Sequence, residues 1–143
     1  MTLRHCDLLF SGGKLLCMDD ADTQLRYGAV AVTDGKIVEI GTRDALRQKY
    51  SAKEEIHHEN AILLPGLIDA HMHETLTRGL HEDLPLMRWL TEVCYPVEGA
   101  YRPDDLTAAA LMTQAELIRG GVTTFIDIFR FADKAIEVTK QTG

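Results

Sequence analysis

Between Asp7 and Leu64 the apolar residues come in short runs separated by turn residues, the pattern of successive strands. Leu8–Phe10 is the first run, Ser11-Gly12-Gly13 is expected to turn, and Lys14–Met18 is the second, after which Asp19, Asp20 and Asp22 break the pattern. Tyr27–Val32 and Ile37–Ile40 flank Thr33-Asp34-Gly35-Lys36, and Asp-Gly supplies the positive backbone angles of a tight hairpin turn. Gly41 ends the hairpin, Arg43–Tyr50 fits a short surface helix, and Glu55–Glu59 fits an edge strand leading into Ala61–Leu64.

After Pro65-Gly66 the pattern changes. Leu67–His71 starts as a buried strand and ends in polar chemistry, while Leu84, Met87, Leu90 and Val93 repeat at the spacing of a helix face. A longer helix is predicted from Asp104 to Arg119, with Pro103 at its start, acids in its first turn and Gly120-Gly121 at its end. Val122–Phe129 reads as a β-branched strand and Ala132–Thr142 as an amphipathic helix ended by Gly143. The expected fold class is therefore α/β: a small β-rich domain over residues 1–64, then strand–helix units of a parallel assembly over 65–143.

Composition narrows the partners. With 45% hydrophobic residues in 143, one core can form, and a net charge of -7 disfavours nucleic acid or an anionic membrane and suits a small-molecule substrate. No apolar run approaches the roughly 20 residues of a membrane span and the first residues lack a signal pattern, so a cytoplasmic protein is expected. Cys6, Cys17 and Cys94 are odd in number and far apart, which predicts reduced thiols packed as small apolar groups.

The chemistry lies in His71-Met72-His73. Alternate residues of a strand project to one side, so the two imidazoles point together, and neutral imidazole is a good ligand for zinc and similar cations. His-x-His alone also fits exposed or hydrogen-bonded histidines. Its context is more specific: Leu64-Pro65-Gly66-Leu67-Ile68-Asp69-Ala70-His71-Met72-His73 resembles the motif that opens the barrel of the amidohydrolase superfamily. The resemblance implies that His71 and His73 bind one divalent metal, zinc or iron, at the end of the first strand of a (β/α)₈ barrel. Residues 34–41 resemble the small β-sandwich domain preceding that barrel, and residues 121–127 resemble its second strand.

Arg78-Gly79, the stretch from Asp83 to Leu90, and Pro96-Val97-Glu98 resemble the branch holding methylthioadenosine and S-adenosylhomocysteine deaminases, with triazine chlorohydrolases as relatives. That likeness implies that Glu98 holds ribose hydroxyls and that Trp89 helps to wall the pocket. Trp89 equally fits a helix core, and Glu98 a solvated carboxylate. The segment after His73 is shorter than in nucleoside deaminases and sets Glu74 beside the metal motif, a departure that bears on the substrate. His5, His57, His58 and His81 read as solvated or locally bonded, and Asp127 as structural.

A complete barrel takes typically ~250 residues, whereas two strand–helix units occupy the stretch after Pro65. The expectation is an N-terminal piece of the enzyme, inactive alone and with no catalytic proton-transfer residue of its own. The complete protein is expected to deaminate or dechlorinate an aminated purine, pyrimidine or triazine ring, or a nucleoside, with metal-activated water. Its expected partners are the substrate, the rest of the barrel on the same or another chain, and further copies of itself. A non-enzymatic interaction module, or one subunit of a split enzyme, is the second expectation.

Overall fold

A computed structural model describes residues 2–74, 79–80, 83–128 and 131–143; the expectations touching Arg78, His81 and Phe129 lie outside them. Unit one, Met1–Pro65, is built on β1 (Arg4–Leu16), β2 (Gln24–Arg26), β3 (Gly28–Thr33), β4 (Lys36–Thr42), α1 (Arg43–Arg47) and β5 (Tyr50–Leu63). The sheet runs β2-β1-β3-β4 with antiparallel neighbours, and β5 joins β1 in parallel.

The predicted hairpin is present. Asp34 and Gly35 both have positive φ, and Thr33 pairs with Lys36 across the two-residue turn. The predicted turn at Ser11-Gly12-Gly13 is not: β1 runs straight through it, with a register shift against β5 between Gly12 and Lys14. The glycines serve close approach rather than reversal, since a Cβ on Gly13 would sit 2.0 Å from the Glu59 carbonyl oxygen. Tyr50 opens β5 instead of ending α1. Cys6, Leu9, Ala29, Ala31, Leu46 and Tyr50 form the core between sheet and helix, and the Thr42 hydroxyl caps α1 by accepting from the Ala45 N–H.

Unit two, Gly66–Gly143, contains β6 (Leu67–Met72), α2 (Leu86–Trp89), a π-helical stretch (Leu90–Cys94), α3 (Tyr95–Ala100), α4 (Pro103–Arg119), β7 (Val122–Asp127) and α5 (Ala132–Thr142). β6 and β7 are parallel neighbours with the helices between them in sequence, so the chain is a mixed α/β protein. The α4 boundaries match the helix signals in the sequence, and Asp105 closes its first turn by accepting from the Arg102 N–H.

The segment expected as one helix from Leu84 to Val93 differs in kind. The helix begins at Leu86, passes through the π-helical stretch and continues to Ala100. Pro96 has no N–H to offer the carbonyl four residues before it, which gives the widened turn a local cause. Met87, expected on the buried face, is 66% exposed, whereas Val93 is buried. Among the described residues no helix is long and apolar enough to cross a membrane.

Candidate metal centre

β6 delivers His71 and His73 to its C-terminal end. Met72 between them is buried while both histidines are exposed, as strand alternation requires. Pro65-Gly66 leads the strand in where side-chain space is lacking, because a Cβ on Gly66 would lie 2.1 Å from Thr123 Oγ1 of β7. Toward the other end Asp69 Oδ1 accepts from the His71 N–H at 3.1 Å within the strand.

The two imidazole Nε2 atoms lie 3.3 Å apart, with the rings edge to face at 81°. One ring can donate to the other at this distance. It is also the separation set by two nitrogens bound at about 2.0–2.1 Å to one tetrahedral cation, roughly 3.3–3.4 Å. The pair therefore fits half of a zinc site. Among the described residues no group of three or more His, Cys, Asp or Glu could hold a metal ion, so the further ligands are not supplied here.

Behind the pair stands Glu74, buried at 3% exposure. Its Oε1 accepts from Gln114 Nε2 of α4 at 2.7 Å, and its backbone N–H donates to Asp127 Oδ1 of β7 at 3.4 Å. Burial pushes its carboxyl above the ordinary range; the Gln114 hydrogen bond pulls it part of the way back, and the Asp127 charge raises it. A cavity of about 310 Å³ opens beside His73, lined also by Asp69, Met72, Thr113 and Glu116.

Trp89 and Glu98, the two proposed substrate contacts, are half-buried on α2 and α3. The Trp89 indole N–H donates to the Leu80 carbonyl at 3.1 Å, a bond that ties the helix to the preceding loop. The cavity of about 440 Å³ on this segment has Leu80, Leu84, Arg88, Glu92, Val93 and Val97 among its lining residues, with neither Trp89 nor Glu98 among them. The structure brings His71 and His73 together and places the other two on separate helices.

Gln114 was not singled out in the sequence. The signal was there: Leu106, Ala110, Thr113 and Gln114 recur at helical spacing on the buried face of α4, and a glutamine amid such positions needs a polar partner. His5 and His57 act as local hydrogen-bonding groups. His57 Nδ1 lies 2.9 Å from the buried Ser11 Oγ, and His5 Nδ1 lies 3.0 Å from the Ser51 carbonyl. All three cysteines are free thiols. Cys6 and Cys94 are buried, and burial is the main cause that raises both of their pKa values.

The chain is a mixed α/β protein with paired imidazoles at the end of a parallel strand. The sequence profile described as the amidohydrolase family matches residues 62–142, and that of a bacterial imidazolonepropionase-like composite domain matches residues 28–50. The chain belongs to the amidohydrolase family. It is 36% identical to a 5-methylthioadenosine/S-adenosylhomocysteine deaminase of Nitratidesulfovibrio vulgaris, over 98% of this chain and 32% of that protein. Among solved structures, an adenosine deaminase of Xanthomonas campestris with bound zinc has a TM-score of 0.92 and 34% identity, over 98% of this chain and 33% of the other. An atrazine chlorohydrolase of Arthrobacter aurescens complexed with zinc has a TM-score of 0.77 and 25% identity, over 94% and 33%. The chain thus spans about a third of the length of the relatives it matches.

Proposed function

We propose that this chain supplies the first two metal-binding histidines of a deaminase-type amidohydrolase. The reaction is hydrolytic removal of an amino group, or of chloride, from a purine, pyrimidine or triazine ring or a nucleoside. The observation that carries this reading is the 3.3 Å separation of the two Nε2 atoms, the spacing of two ligands on one tetrahedral cation. The deaminases and the chlorohydrolase it resembles support the substrate class, and the zinc named in two of those structures supports zinc over iron. On this reading residues 1–64 form part of a small β-sandwich domain and residues 65–143 the first two units of a (β/α)₈ barrel. The parallel β6–β7 pairing with helices between the strands favours that assignment.

Within the reaction five residues of the chain have a defined task. His71 and His73 would hold the cation through their Nε2 atoms, and the Asp69 carboxylate accepts from the His71 N–H within β6. A cation bound there supplies Lewis-acid activation of water toward an electron-poor ring carbon. Glu98 offers a carboxylate to ribose hydroxyls, and Trp89 an apolar wall to the base. The further ligands and the proton-transferring group come from additional polypeptide, on the same chain or another.

Zinc titration of the 143-residue chain by calorimetry tests the first step. Two ligands predict weak binding, since catalytic zinc normally takes three protein ligands, and His71→Ala should remove it. Tight stoichiometric binding would show that ligands within the chain have been missed. In the active protein containing these residues, His71→Ala should abolish ammonia release from nucleosides and free bases alike. Glu98→Gln should lower kcat/KM for nucleosides alone by about one to two powers of ten, the worth of a charged hydrogen bond of roughly 1.5–3 kcal/mol. An unchanged nucleoside-to-base ratio removes Glu98 from the ribose site and leaves the hydrolase reading standing.

A further inference from the structure

Among the described residues Glu74 is the only acid that is buried. It follows the second histidine directly, and the hydrolytic reading gives it no task. Two backbone N–H bonds beside it are long: the Ile128 N–H donates to the Met72 carbonyl and the Glu74 N–H to Asp127 Oδ1, both at 3.4 Å. The short contact at this point is between side chains, Gln114 Nε2 to Glu74 Oε1 at 2.7 Å across 40 positions of sequence.

Gln114 is itself fixed from the other side. Its Nε2 also donates to Thr139 Oγ1 at 2.9 Å, and its Oε1 accepts from Thr142 Oγ1 at 2.7 Å. The Thr139 hydroxyl spends its proton on the Ala135 carbonyl at 2.8 Å, so toward Gln114 it can only accept. The amide is therefore oriented with its nitrogen toward Glu74. Two helices hold one N–H in place, and the residue after His73 receives it.

We propose that Glu74 is a positioning residue for the histidine pair: gripped by Gln114, its carboxylate ties the chain after His73 to α4 and α5. That tie holds the two imidazole nitrogens at the spacing a cation needs. The inference rests on the metal-pair reading above. Packing alone gives no reason for a carboxylate here, because Oε2 is buried with no hydrogen-bond partner among the described residues, which costs stability. Supporting groups behind metal ligands typically contribute 10- to 100-fold in metal affinity.

The test is a titration of the 143-residue chain with Zn²⁺ alone, read at the imidazole nitrogens of His71 and His73 by NMR, beside thermal unfolding. Glu74→Met should weaken zinc binding at both rings about tenfold, and should also lower the melting temperature, because a buried Gln114 N–H loses its acceptor. A merely structural residue would lower the melting temperature with affinity unchanged. Glu74→Gln keeps an acceptor for Gln114 and should bind zinc within about threefold of wild type, since the bond to Gln114 survives. Gln114→Leu breaks the same bond from the other side and should match Glu74→Met, and the double variant should lose no more than either single one. Wild-type affinity in folded Glu74→Met overturns the proposal; if that variant does not fold, wild-type affinity in Gln114→Leu does so. A wild-type chain in which zinc fails to shift the two rings together sinks the metal-pair reading instead, and this inference with it.

Discussion

The Glu39 carboxylate on β4 accepts hydrogen bonds from Lys49, Tyr50 and Arg4, joining β4 to β1 and to the start of β5. Led by Lys49 and then Tyr50, these partners lower its pKa from 4.5 to about 2. A folded-state value below the unfolded one means that the stabilisation is complete above the unfolded pKa. It is lost as pH falls from there toward about 2. Urea unfolding of unit one should accordingly weaken between pH ~5 and pH ~2.5, and Glu39→Gln should flatten that part of the profile. An identical profile in the variant would remove the assignment. At this scale the sequence shows unevenly. His71 and His73 are legible because alternation on a strand acts over two residues, whereas Glu74 and Gln114 meet across 40 positions, and only the folded topology joins them.

Helix α4, helix α5 and the β3–β4 hairpin were legible as elements because their boundaries are written in local chemistry: proline and acids at a helix start, Asp-Gly in a turn, glycine at a helix end. β1 and the π-helical stretch were not. Gly12 and Gly13 look like turn residues until a second strand passes close to them, and one proline just past an apolar repeat does not show how the helix will absorb its missing donor. Gly66 belongs with them: in the sequence it punctuates a strand start, and in the fold it lets β6 approach Thr123 of β7. Gly66→Ala should force the two strands apart and destabilise unit two by about 1–3 kcal/mol, the usual cost of overpacking. Chemical denaturation followed at Trp89, the only tryptophan, reports on that unit. A midpoint unchanged from wild type would show that Thr123 yields without cost.

At the scale of the whole molecule the main feature is how much apolar surface the described elements leave uncovered. In unit two Leu67, Ile68 and Ile126, all strand residues, are 48%, 70% and 53% exposed. Parallel strands are found almost only where both faces are covered, and an open edge carries unpaired N–H and C=O groups that pair readily with another chain. In unit one Ile37, Val38 and Ile40 of β4 are similarly open. The relatives are about three times as long, so they have polypeptide to place over such surfaces. The 143-residue chain alone should therefore self-associate with rising concentration, in the micromolar-to-millimolar range where exposed apolar strands associate. Ile68→Glu is the informative variant. At 70% exposure the residue contributes little to the fold, so its replacement should leave thermal unfolding unchanged while a charge on the open face opposes association. Sedimentation velocity over a concentration series should show a rising weight-average coefficient for the wild type and a flatter one for Ile68→Glu. A wild type that stays monomeric throughout would mean that these strands are covered within the chain itself. Equal association in both proteins would move the contact to β4, where Val38→Glu repeats the test.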